Sequence, residues 1–153
     1  AEEALKDTPA RVVRLPWVYG TGGWFRDLVV GLRTRRYRIV GSGLNRWGLL
    51  GVHDAVAALR AALDAEPGVY NAIEAAPTQE EVVNSVCRAP GFHRPDRAPR
   101  ALSGIPLGSA LAHSLEASVW TTDARLRQVG WTPQGEWQAG LRELTEISLP
   151  ASV

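Results

Sequence analysis

Arg11 to Gly23, RVVRLPWVYGTGG, is the stretch that decides the fold. A β-branched run, Val12-Val13, meets Pro16. Trp17 and Tyr19 follow, and then Gly20, Gly22 and Gly23 fall within four residues. That is the profile of a strand, Arg11–Leu15, running into a tight glycine-rich bend with aromatics at its mouth. In α/β proteins the carboxyl ends of strands are where ligands sit.

Outward from this stretch, short apolar runs alternate with helical patterns. Trp24 to Leu32 places Trp24, Phe25, Leu28, Val29 and Leu32 on one helical face. Strands are expected at 37–40, 48–52 and 69–73. Helices are expected at 55–65, with Asp54 as N-cap, and from Thr78 to about 88, where Thr78 and Glu81 spell a capping box. Pro90 to Gly108, with four prolines, reads as an irregular loop. Ser109–Leu115 is a weak helical pattern, and Val119–Thr121 an extended one. A helix opened by Thr122 or Asp123 should end at Gly130 as its C′ glycine. A last helix spans Gln134–Glu146. Strands alternating with helices predict an α/β fold in a single domain, 1–153.

Composition narrows the function classes. Apolar content of 45% and charged content of 22% are ordinary for a globular domain, and the net charge of +1 favours no anionic partner. The single cysteine, Cys87, allows no internal disulfide, and no Cys/His cluster suggests a metal. A reducing, cytoplasmic setting is the expectation, with no membrane partner, because no apolar run is long enough to span a bilayer. The six tryptophans supply anchors or binding surfaces.

Four segments together resemble a family. RLPWVYGTGG, GSGLNRWGLLGVHDAVAAL, GVYNAI and TTDARLRQVGWTPQGEWQAGLREL occur in the order and spacing of extended short-chain dehydrogenases/reductases, the NAD-dependent epimerase/dehydratase group. The resemblance runs from about Glu2 to Leu144 and covers only that family's C-terminal, substrate-binding half. It implies an incomplete Rossmann-type fold, with a few strands and about five helices. The strands at 11–15 and 69–73 would complete a sheet begun in an N-terminal dinucleotide-binding part.

The family's glycine-rich GxxGxxG turn and its Tyr-x-x-x-Lys pair have no counterpart, and Lys6 is the only lysine. No catalytic residue is therefore assigned. The family's lysine would fall just before residue 1, as if the cut lay directly after the catalytic pair. The resemblance implies that Pro16, Trp17 and Val18 lie along a nicotinamide, and that Tyr19, Gly20, Asn45, Arg46 and Trp47 line a small-molecule substrate pocket. No cofactor is expected for the isolated chain; NAD or NADP is expected if the missing part is supplied. Unpaired strand edges lead to the expectation of a homo-oligomer.

Plainer readings stand beside these. Tyr19 reads as a ligand contact or as an aromatic packed under the bend. Trp47 reads as a stacking platform or as a cover for the 55–65 helix. His53 and Asp54 adjoin, but a capping role suits Asp54 better than acid/base chemistry. His93 and His113 stand apart without ligand spacing, and Cys87 reads as a small buried hydrophobe. The run Arg33–Arg38, RTRRYR, is a solvated surface or a phosphate rim rather than a nucleic-acid site, since a basic face would be broader. The expected function is a truncated epimerase/dehydratase-like protein without independent redox activity. The alternatives are a stand-alone ligand-binding or interaction module and a weak nucleic-acid binder through the arginine run.

Overall fold

Pro16 breaks the first strand without ending it. In the computed structural model, which describes residues 2–5, 8–99 and 115–147, the chain is extended on both sides of this proline. Strand β1 spans Arg11–Arg14 and β2 spans Trp17–Tyr19. Proline has no N–H to donate to a ladder, and the two sides take different neighbours. β1 pairs in parallel with β5 (Gly68–Asn71), Val13 opposite Tyr70. β2 pairs in parallel with β4 (Leu49–Gly51), Val18 opposite Leu50. Trp17 N–H donates to Gly48 O at 3.0 Å, starting the second ladder one residue after the proline. A third parallel pair joins β3 (Ile39–Val40) to β6 (Arg97–Ala98).

Five α-helices lie among the described residues: α1 (Gly23–Arg33), α2 (Val52–Leu63), α3 (Gln79–Cys87), α4 (Ala124–Gln128) and α5 (Trp137–Ile147). Glu2–Leu5 forms a single 3₁₀ turn. The α/β class and the five-helix count agree with the sequence. The expected weak helix at 109–115 and His113 fall almost wholly outside the described residues, as does the second half of the 90–108 loop.

Side chains alternate across a strand, and β2 with β4 uses this to separate two cores. Tyr19 and Leu49 point into a core built by Phe25, Leu28, Val29 and Leu32 of α1, Val82, Val83 and Val86 of α3, and Leu141 of α5. Val18 and Leu50 point the other way, toward Ala55 and Ala58 of α2, Tyr70, Leu126 and Trp131. Each fully buried Leu, Val or Phe contributes about 2 kcal/mol relative to exposure. α2 approaches its core through Ala55, Ala58 and Ala62, which are small enough to bring the helix close to the strands.

Local signals set several boundaries. Thr78 Oγ1 accepts from Glu81 N–H while Glu81 Oε2 accepts from Thr78 N–H, a complete capping box. Gly130, at φ +85°, closes α4 with Gly130 N–H on Arg127 O and Trp131 N–H on Leu126 O, which is the Schellman pattern. Asp54 is a correction. α2 begins three residues earlier, at Val52, with Gly51 as N-cap and no side-chain cap. Asp54 lies in the first turn and spends its carboxylate elsewhere.

Candidate functional site

Two neighbouring regions meet the requirements of a site at the carboxyl ends of the parallel strands. The first surrounds Pro16, at the point where the long strand passes from β5 to β4. Gly48 is buried here, and a Cβ on it would lie 3.1 Å from Pro16 Cβ, 3.3 Å from Ile73 Cδ1 and 3.3 Å from Val119 O. The segment Val119–Thr121 thus runs across the strand ends, tied down by Val119 N–H on Arg46 O at 2.8 Å. Leu15, Val119 and Trp120 are exposed, Trp120 by 70%. A strand-end surface with an exposed tryptophan and aliphatic neighbours suits a flat ring.

The second region is an acid–phenol pair, the buried Tyr19 against the half-buried Glu74. Tyr19 O–H donates to Glu74 Oε2 at 2.7 Å, and Gly51 N–H donates to the same oxygen at 3.0 Å. Burial pushes the Glu74 carboxyl above its usual range; the hydrogen bonds from Tyr19 and Gly51 oppose this, and the nearby Asp54 and Glu136 charges add to it. Burial and then Glu74 hold the Tyr19 phenol well above its ordinary value, so it stays neutral. Two glycines make room for the ring: a Cβ on Gly140 would lie 2.9 Å from Tyr19 Cε2, and one on Gly51 3.2 Å from its hydroxyl. The pair fastens β2 to β4 and to the segment after β5.

Asp54 extends this cluster. Its carboxylate accepts from Gln134 N–H at 3.0 Å and from Gly135 N–H at 2.9 Å, joining the start of α2 to the approach to α5. A Cβ on Gly135 would lie 3.1 Å from Asp54 Oδ2 and 3.3 Å from Glu74 Oε1, so the glycine lets the two acids close over it.

The residues read from sequence divide clearly. Pro16, Trp17 and Val18 are half-buried and adjoin the strand-end surface. Trp17 also packs on Trp24 and Trp47, with ring centroids 5.2 and 5.7 Å away. Tyr19 occupies the packed position rather than an open one, and Gly20 starts the bend beside Val52. Asn45, Arg46 and Trp47 adjoin each other and tie their polar groups to backbone carbonyls, Arg46 at the exposed surface. Asn45 Nδ2 donates to Leu115 O at 2.6 Å, Arg46 Nη1 to Ala76 O at 2.8 Å and Trp47 Nε1 to Leu115 O at 3.1 Å. Trp47 is 1% exposed and lies in the core with α1 and α3, so it is neither an open stacking platform nor a cover for α2. His53 is exposed on α2 while Asp54 is buried, so they share no chemistry. Half-buried Cys87 places its thiol on His93 O at 3.4 Å, and burial raises its pKa.

Glu74 and Trp120 were missed in the sequence. Glu74 is an acid one residue past an apolar strand, a position at a strand's carboxyl end that carried a signal. Trp120 had none beyond its residue type. Among the described residues no group of three His, Cys, Asp or Glu side chains could hold a metal, and no helix is long and apolar enough to cross a membrane.

No known family model matches the sequence, and no curated protein matches it. Solved structures do. A human epimerase family protein, solved with NADPH, is 25% identical over 89% of this chain and 48% of its own, with a TM-score of 0.77. The dTDP-glucose 4,6-dehydratase of Bacillus anthracis, in complex with NAD, is 20% identical over 94% and 46%, with a TM-score of 0.69. The UDP-glucose 4-epimerase of Thermotoga maritima, with UDP-glucose, is 18% identical over 95% and 48%, also at 0.69. The chain spans about half the length of each. It shares the Rossmann-like α/β fold of NAD(P)-dependent epimerases and dehydratases over that half.

Proposed function

We propose that the chain is the substrate-side half of an NAD(P)-dependent epimerase/dehydratase-like protein and has no redox chemistry of its own. The observation that carries this is the strand that changes neighbours at Pro16, inside a fold shared with the human NADPH-bound epimerase family protein over nearly the whole chain. Pro16–Val18 and the exposed Trp120 then form one wall of a nicotinamide and substrate site. Asn45–Trp47 brace the 115–118 segment that supports this wall. NAD or NADP, bound by a complementary dinucleotide-binding part, would supply the hydride acceptor or donor. The residues of this chain would exclude water and orient the ring. Tyr19 replaces no catalytic tyrosine in this reading, because its hydroxyl is held by Glu74 and closed off.

Nitrogen-15 NMR shift mapping at millimolar NADPH, which reads contacts far weaker than stable cofactor binding, tests this. The expected result is perturbation of amides at 15, 17–20, 47–48 and 119–122. Perturbation confined to 33–38 and 93–97, or none at millimolar ligand, overturns it. Self-association belongs to the same reading. Val52, Val56, Leu59 and Leu63 form a stripe on α2 that is 44–72% exposed, at the 4-3-4 spacing of a helix–helix seam. Light scattering at micromolar concentration should give a dimer; a monomer mass rejects this part.

A further inference from the structure

The arginine run has no place in the site above, yet it lines a cleft. About 230 Å³ of space lies between the end of α1 and the loop entering β6, bordered by Leu32, Arg35, Tyr37, Arg38 and the segment His93–Asp96. We infer that this cleft binds the phosphate group of a small phosphorylated molecule, through Arg35, Arg38, Arg94 and His93. The inference is independent of the nicotinamide-side reading.

Four observations carry it. The lining side chains hold three guanidiniums and one imidazole against a single carboxylate, Asp96. Two of the guanidiniums are already oriented. Arg38 pairs with Asp96 at 3.2 Å, and Arg94 pairs with Glu80, which also takes Arg97 at 3.0 Å. Arg35 has a different neighbour: its Nη2 lies 3.2 Å from Nε2 and 3.4 Å from Nδ1 of His93. An Arg35 N–H at this distance donates to the imidazole, which leaves the other guanidinium N–H groups for a phosphate oxygen. Finally, the tight turn that ends α1 carries the arginines to the cleft. The Val30, Gly31 and Leu32 carbonyls accept from Thr34, Arg35, Arg36 and Tyr37 N–H groups, and the turn puts Arg35 at φ +58°.

Size selects the ligand. The space is below the roughly 300 Å³ at which drug-sized ligand sites begin, so it fits a phosphate or diphosphate group and leaves the rest of the molecule outside. Tyr37 forms an apolar floor, its hydroxyl fixed by Gln79 Nε2 at 2.9 Å. A nucleic-acid backbone would need a longer basic track than this cleft offers.

Calorimetric titration of the full chain with inorganic pyrophosphate tests the proposal. Saturable binding at one site is expected, weakened at least about tenfold by Arg35→Gln/Arg38→Gln, the loss of charged hydrogen bonds. Arg60→Gln/Arg142→Gln removes the same charge from exposed faces of α2 and α5 and should leave the affinity within about twofold. Asp96→Asn should tighten binding, since it removes the one acid of the lining. Circular dichroism melts of the variants should match the parent, because the altered pairs are exposed. Equal weakening by the two double variants, no effect of Arg35→Gln/Arg38→Gln, or tighter salt-sensitive binding of a short duplex than of pyrophosphate overturns it.

Discussion

Asp54→Ala tests the packing that holds the candidate site together. The carboxylate is 6% exposed and accepts two backbone N–H groups from residues about eighty positions away. Each hydrogen bond to a charged acceptor contributes about 1.5–3 kcal/mol. Gln134 and Gly135 are themselves exposed, so water replaces part of the loss. The net cost should be about 2–3 kcal/mol, or about 5–10 °C in Tm for a domain of this length. Urea unfolding monitored by circular dichroism measures it, and amide hydrogen exchange locates it. Exchange should accelerate at Gln134 and Gly135, with the first-turn amides of α2 unchanged. A loss under about 0.5 kcal/mol, or faster exchange confined to the first turn of α2, would refute the bridge and restore Asp54 to a capping role.

Glu74→Gln should remove a pH dependence. A carboxyl raised by burial favours folding most when protonated, so its contribution is complete below the unfolded glutamate pKa and is lost as pH rises through the raised folded value. The glutamine keeps an acceptor for Tyr19 and Gly51, and urea midpoints across pH 4 to 8 should flatten relative to the parent (range chosen around the unperturbed pKa of about 4.3). An unchanged slope counts against the assignment. Gly140→Ala would press a methyl group against the Tyr19 ring and should cost about 1–3 kcal/mol in chemical denaturation; a neutral result would show that the ring can shift. Gly130→Ala forces a left-handed residue at the end of α4 and should cost about 1–2 kcal/mol, read from the same curves.

Much of the fold is legible because its signals are local. Thr78 and Glu81 are three residues apart, and Gly130 follows the helix it ends; both act within one turn and both are found as expected. Asp54 misled because an acid in a helix's first turn and an acid at the N-cap look alike in sequence. Only a partner across the fold decides between them. The same holds for Trp47 and Tyr19: an aromatic beside a glycine bend says nothing about which core takes it. The switch of β-partners at Pro16 is a tertiary event, visible in sequence only as a proline inside an extended run.

In the proposed reading this chain presents one wall of a nicotinamide site without the group that drives the chemistry. Following NADPH absorbance while the purified chain is incubated with NADP and UDP-glucose, whose secondary alcohols can give up a hydride to the oxidised cofactor, tests it most directly. The expected trace matches the protein-free blank. Protein-dependent formation of NADPH would contradict it, and its loss in Tyr19→Phe would identify the buried phenol as the group that takes the alcohol proton.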